Sequence, residues 1–317
     1  MKITQRTWEQ LDLPVIAELT RSAYRIEGRG DYTLQQIERY LKNLNERFPI
    51  EVAMIAVEGE RTAGWIGLER KTKNIGEIGR WHPYVCESSN RDDIALELIE
   101  EVMKYASAHG MNRLEIGFNE ISDSNLKAYE NRCSWLSALG WNLVEDTCFM
   151  TMDSLEDYPI FTVPEKFQMH PLLSVDDNEL FKCHDAAFST SEAREYYDLS
   201  KDEKKQHFTN LYDRSQNINS EASIVLKNDN NLVGILLVVS RDSEEHITVL
   251  AVHPHFRGRG LAKAMLSASL KELREQGIQN LSIGVDIVNT PAIQLYQKYG
   301  FHVTSRLSFF SWKSKPR

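Results

Sequence analysis

Short runs of Val, Ile and Leu at 222–227, 232–239 and 247–252 read as buried β-strands. The segments between them read as helices, and several of their starts carry capping chemistry. Asp176-x-x-Glu179, Thr33-x-x-Gln36 and Ser200-x-x-Glu203 each set a short oxygen-bearing side chain three residues before a Glu or Gln, the pattern of a capping box or a close variant. Thr290-Pro291 puts proline at the first helical position, where no N–H is needed. The stretch 153–171, with Pro159, Pro164 and Pro171, interrupts the pattern and predicts a linker.

The pattern occurs twice. Gly110-Met-Asn-Arg-Leu-Glu-Ile-Gly-Phe118 is echoed 167 residues later by Gly277-Ile-Gln-Asn-Leu-Ser-Ile-Gly-Val285. In each copy a helix-ending glycine leads into a short apolar strand. The hairpin-like segment 51–68 around Gly64 returns as 221–238 around Gly234, and His82-Pro83 returns as His253-Pro254. Three collinear pairs with small drift in spacing predict two copies of one domain-sized fold. Each copy reads as a short strand, one or two helices, a hairpin, a third strand, a long helix, a strand, a short helix and a final strand. The expectation is two tandem α/β domains, 1–155 and 156–317.

Composition changes this picture little. With 317 residues, 42% hydrophobic and 26% charged, the chain is long enough for two packed cores. A net charge of −9 argues against a general nucleic-acid binder, whose affinity comes from Lys and Arg on phosphates. The four cysteines form no CxxC and no short-spaced framework, as in a reduced chain. Neither an apolar signal-peptide core nor a membrane-length apolar run is visible, so a cytoplasmic protein without membrane partners is expected. Metal-ligand spacing such as His-Glu-x-x-His is absent from the sequence.

The candidate chemistry lies where a strand ends at His253-Pro254 and a helix begins near Leu261. Gly258 and Gly260 leave backbone N–H groups open to an anion, the first turn of the helix adds unpaired N–H groups and its dipole, and Arg257 and Arg259 add charge. This is a pyrophosphate cradle by physical design. It is not a dinucleotide fingerprint, because Lys263 takes the place of the third glycine, and it lacks the Gly-Lys-Ser/Thr ending of a Walker loop.

In this stretch the sequence resembles the GNAT superfamily of acyl-coenzyme A-dependent N-acyltransferases. Arg257-x-x-Gly260-x-Ala262 matches the family's Arg/Gln-x-x-Gly-x-Gly/Ala signature, after a Leu-Ala-Val-x-Pro strand end. Asn289, Ala292, Leu295, Tyr296, Gly300 and Phe301 match a second motif. The resemblance implies a mixed central sheet flanked by helices in each copy, and acetyl-coenzyme A as the co-substrate. It further implies that backbone groups of Leu250, Ala251 and Val252 pair with the pantetheine arm. Amides of Arg257, Gly258, Arg259, Gly260, Leu261 and Ala262 would hold the pyrophosphate. Asn289 would contact the cofactor beside the pantetheine, and Tyr296 would act near the sulfur as general acid for the departing thiolate.

For a general base, strict alternation along the third strand puts Ile247, Val249 and Ala251 on one face. Glu244, His246, Thr248 and Leu250 fall on the other, facing the cleft. His246, with Glu245 and Glu244 beside it, then stands where many family members carry a base; an exposed strand-start histidine is the competing reading. The N-terminal copy departs from the pattern: after His82-Pro83 come Glu87, Asp92 and Asp93 and no Arg-Gly-x-Gly. That copy is expected not to bind coenzyme A productively. Phe161, Phe167, Tyr196 and Tyr197 are candidates either for an acceptor cleft or for packing.

The leading expectation is an N-acetyltransferase acting directly on a small-molecule or peptidyl amine, as a monomer or homodimer. The alternatives are a non-catalytic acyl-coenzyme A sensor or scaffold, and a transferase using aminoacyl-tRNA. The intact glycine loop and the acidic net charge argue against the last.

Overall fold

The computed structural model describes residues 1–88, 90–120, 126–190, 196, 199–241 and 244–314. In it the chain divides into two compact units, Met1–Glu145 with Leu307–Arg317, and Asp146–Arg306. Each is a mixed sheet flanked by helices.

The first unit runs β1 (Lys2–Arg6), α1 (Leu13–Ile26), α2 (Leu34–Arg47), β2 (Ile50–Glu58), β3 (Arg61–Thr72), β4 (Ile75–Glu77), β5 (Tyr84–Val85), α3 (Arg91–Ala108), β6 (Arg113–Glu120) and α4 (Leu126–Ala138). β1 to β4 pair antiparallel in chain order, and β4 pairs parallel with β6. The strand beside β6 is the far end of β13 (His302–Lys313). There Phe310 stacks on Phe118 with ring centroids 5.9 Å apart, and the Tyr129 and Ser308 hydroxyls lie 2.6 Å apart.

The second unit takes the latter part of β7 (Asn142–Met152) and continues with β8 (Gln168–Pro171), α5 (Asp177–Phe188), α6 (Lys201–Leu211), β9 (Ile224–Asn228), β10 (Asn231–Arg241) and β11 (Glu244–Val252). α7 (Leu261–Glu275), β12 (Leu281–Asp286), α8 (Thr290–Lys298) and the start of β13 complete it. Strands β8 to β11 are antiparallel, β11 and β12 parallel, and β12 pairs antiparallel with β7. One sheet face packs on α7 and α8 through Leu236, Val238, Ile247, Met265, Leu270 and Tyr299. The other packs on α5 and α6 through Ile235, Leu237, Val249, Cys183, Phe208 and Tyr212.

Local chemistry explains the elements. Thr33 and Ser200 form reciprocal capping boxes, whereas Asp176 caps α5 by accepting from Asn178 and Glu179 N–H without a return bond. α8 starts at Thr290, one residue before Pro291, and its N-cap is Asn289, which accepts from the Ala292 N–H. Gly64 and Gly234 recur in the two hairpins for one reason. A Cβ at Gly64 would meet Ile94 at 2.9 Å, and one at Gly234 would meet Met265 at 2.9 Å, so each glycine lets the long helix lie close on its strand.

Two expectations are corrected. The stretch 153–171 is no free tether: β8 occupies its end, and Leu155 and Phe167 are buried in the core of the second unit. The strict alternation along β11 also fails. Leu237 pairs with Val249 but Val238 with Ile247, leaving Thr248 as the extra residue of a β-bulge. Ile247 therefore joins the α7–α8 face with Leu250, while Val249 and Ala251 join the α5–α6 face. No helix among the described residues is long and apolar enough to cross a membrane.

Candidate functional site

The parallel register of β11 and β12 covers only Glu245, His246 and Ile247 against Leu281, Ser282 and Ile283. Beyond it β11 stays paired with β10 as far as Val252, and β12 with β7 as far as Asp286. The two strands therefore part at the bulge, and backbone groups of β11 toward β12 lose their ladder partners. Such an edge can take an extended ligand as an added strand.

A cavity of about 570 Å³ opens at this parting. Leu250, Ala251, Val252, Arg257, Gly258, Gly260, Leu261, Ala262, Asn289 and Tyr296 line it. Gly258 and Gly260 adopt φ of +75° and +77°, left-handed conformations that disfavour a side chain, and a Cβ at either would meet nothing within 4 Å. The loop thus presents bare backbone at the start of α7. The N–H groups of Leu261, Ala262 and Lys263 there precede the first intrahelical bond, Ala264 N–H to Gly260 C=O, so they face outward for an anion. Burial first, then His255 and Arg257, lower the pKa of His253 beside the loop.

Both arginine side chains also make contacts within the protein. Arg257 donates to Val252 O at 3.2 Å, to Ala187 O at 2.7 Å and to Thr190 O at 3.4 Å. It thereby ties the glycine loop to the end of α5, which brings Ala187, Phe188 and Thr190 into the lining. Arg259 is outside the lining, with one nitrogen 3.3 Å from His255 O and the guanidinium over the Phe256 ring at 5.2 Å.

Tyr296 is 5% exposed, and its ring meets Phe301 edge-on at 5.8 Å. Its hydroxyl has no hydrogen-bond partner among the described residues, and burial pushes its pKa up, so the phenol keeps its proton at neutral pH. Asn289 uses Oδ1 as the α8 cap at 3.3 Å from Ala292 N.

His246 and Glu245 are not part of the lining. His246 is 7% exposed in the paired part of β11, its Nδ1 2.9 Å from Ser282 Oγ. Ser282 Oγ donates to Glu244 Oε1 at 3.0 Å, so Nδ1–H donates to Ser282 and Nε2 is left as the acceptor. Burial first, then Arg241, lower its pKa to about 4. Glu245 accepts from Ser240 Oγ at 2.6 Å.

Phe167 and Tyr196 are buried, Phe161 stands on α7, and Tyr197 lies outside the described residues. Sequence reasoning missed Ala187, Phe188, Thr190, Phe256, Lys263 and Pro291. Of these only Lys263 carried a legible signal, a cation directly after a phosphate-type loop.

The first unit differs at the corresponding elements. Glu27, at the end of α1, is 1% exposed and pairs with Arg132 of α4, with Arg29 at 2.9 Å and with Arg91 at 3.5 Å. A buried ion cluster thus joins the elements whose counterparts in the second unit, the end of α5 and α8, line the cavity.

Residues 185–301 match the acetyltransferase (GNAT) family. A stretch of 155 residues is 27% identical to the spore coat polysaccharide biosynthesis protein SpsD of Bacillus subtilis, covering 48% of this chain and 52% of that protein. A mycothiol acetyltransferase of Paenarthrobacter aurescens is 42% identical over 55 residues, 17% of each chain. The chain thus spans about half the length of SpsD and less of the mycothiol acetyltransferase. Among solved structures, a GCN5-related N-acetyltransferase from Sphaerobacter thermophilus is similar in fold, with TM-score 0.56 and 17% identity, over 99% of this chain and 96% of that one. Through residues 185–301 the chain is similar to the acetyltransferase (GNAT) family.

Proposed function

We propose that the second unit transfers an acetyl group from acetyl-coenzyme A directly to a primary amine of a small-molecule or peptidyl acceptor. One observation carries the reading. The parted edge of β11, the bare glycine loop at the start of α7 and the protonated phenol of Tyr296 all line a single cavity. The residues fit the donor: the edge at Leu250, Ala251 and Val252 suits a pantetheine amide arm, and the loop suits a pyrophosphate. Acetyl-coenzyme A supplies an activated thioester carbonyl.

The chain's own groups do the rest. The walls orient the acceptor nitrogen toward that carbonyl, and orientation alone is worth several orders of magnitude in rate. Tyr296 gives its hydroxyl proton to the departing thiolate and is reprotonated from solvent. The cavity lining holds no carboxylate or imidazole among the described residues, so the proton of the amine leaves through water. His246, whose Nε2 is left as the acceptor by Ser282 and Glu244, lies on β11 outside that lining. The first unit, with its buried ion cluster, takes no cofactor.

Calorimetric titration of acetyl-coenzyme A tests this, with Gly260→Glu as the control. One site per chain, lost in the control, is expected, followed by turnover with an amine panel. Two sites would overturn the assignment of the first unit, and no binding would remove the enzymatic reading. Binding without turnover across the panel would favour a sensor.

A further inference from the structure

We infer that Lys263 and Phe161 form a grip for the nucleotide end of the donor, Lys263 pairing with its 3′-phosphate and Phe161 packing on its adenine. The inference rests on the acyl-coenzyme A reading of the cavity and goes further, to what selects that donor.

Lys263 lines the cavity in the first turn of α7. A cation there opposes the helix dipole, so local helix preference does not account for it. Its ammonium has no carboxylate partner among the described residues, whereas Arg257 and Arg259 are both occupied with backbone carbonyls. What holds Lys263 is an aromatic ring: its Nζ lies 5.0 Å from the centroid of Phe161.

Phe161 is held there by the segment between β7 and β8, which straps the outside of α7. Its N–H donates to Ser267 Oγ at 3.0 Å, and Ser267 Oγ donates to Pro159 O at 3.0 Å. Ser267 stands four residues after Lys263, on the same helix face. Tyr299, whose ring is 6.3 Å from that of Phe161, donates its hydroxyl to Lys263 O at 2.8 Å. The ring so fixed is nonetheless 39% exposed, beside Ile160 at 78%. Apolar surface anchored so firmly and left open next to an available ammonium suits a planar heterocycle carrying a phosphate. The glycine loop and the α7 amides meet the pyrophosphate; beside them, the Lys263 side chain and the strap meet the second anionic group and the base.

The test is calorimetry with coenzyme A and 3′-dephospho-coenzyme A on the full chain. The unaltered protein is expected to bind coenzyme A about tenfold more tightly than the dephosphorylated form, as suits one charge-assisted pair. Lys263→Ala should erase that difference while leaving affinity for 3′-dephospho-coenzyme A unchanged, and Lys263→Arg should restore it. Phe161→Ala should weaken both forms by about fivefold, the loss of an aromatic contact to a base. Thermal midpoints of the variants confirm that the strap still folds. Equal affinities in the unaltered protein, or a Lys263→Ala loss shared by both forms, would overturn the inference while leaving the acetyltransferase reading intact. Failure of the unaltered protein to bind either form would sink both.

Discussion

Tyr296 shows how one environment prepares one group. Buried on α8 with no hydrogen-bond partner among the described residues, its phenol loses the hydration that would stabilise a phenolate and so stays protonated. The hydroxyl therefore carries a proton at neutral pH and does not act there as a base. Tyr296→Phe keeps the ring contact with Phe301 and removes only the hydroxyl. The expected outcome is a kcat lower by about 10²-fold, in the range of general acid catalysis, with unchanged calorimetric affinity for acetyl-coenzyme A. A parallel loss of affinity would mean that the hydroxyl binds the donor instead.

At the scale of elements, the site depends on a strand that changes partners. Thr248 is the extra residue of the bulge, and there β11 gives up β12 while keeping β10. A bulge bends the strand that carries it, and here the bend opens the edge. Arg257 then joins three elements by reaching carbonyls at Val252, Ala187 and Thr190. A planar fork can serve several carbonyls at once, and a lysine ammonium cannot hold the same set. Arg257→Ala and Arg257→Lys are both expected to raise KM for acetyl-coenzyme A about tenfold, the cost of about one charge-assisted hydrogen bond, with little effect on kcat. Rescue by lysine would show that only charge matters there.

At the scale of the molecule, the first unit needs the end of the chain. Leu307–Arg317 belongs to it, with Phe310 on Phe118, Ser308 at Tyr129, and the Ser314 N–H donating to Asn112 O at 2.9 Å. Truncation after Arg306 should unfold or strongly destabilise the first unit by exposing an apolar strand edge. The readout is at hand, because all six tryptophans (Trp8, Trp65, Trp81, Trp135, Trp141 and Trp312) lie in that unit. Fluorescence reports it, and circular dichroism reports the whole.

Acid is expected to weaken the second unit. Burial lowers His184 to about 3 and His246 to about 4, so both stay neutral when folded while the unfolded chain protonates them near 6.5. Their contribution is complete above pH 6.5 and is lost as pH falls toward the folded values. Each group adds a slope of up to about 1.4 kcal/mol per pH unit. Denaturant curves by circular dichroism between pH 7 and 5, above most carboxylate titration, should show the decline, and His184→Asn should reduce its slope.

What the sequence settled by itself is what is local. The glycine loop, the helix caps at Thr33 and Ser200, and the pairing of Asn289 with Tyr296 on one short helix all lie within a few residues of chain, where spacing and residue type decide the geometry. The tandem repeat was legible because each copy needs the same close helix approach at Gly64 and Gly234. Tertiary structure decided the rest. A single bulge moved Val249 and Ala251 to the face opposite Ile247, because alternation holds only while the register is unbroken. Arg257 found its carbonyl partners 67 and 70 residues away, and Lys263 found its ring on a segment that reads as a linker. The last strand of each copy carries the same kind of apolar alternation. Only packing could choose that β13, and not β7, would lie beside β6.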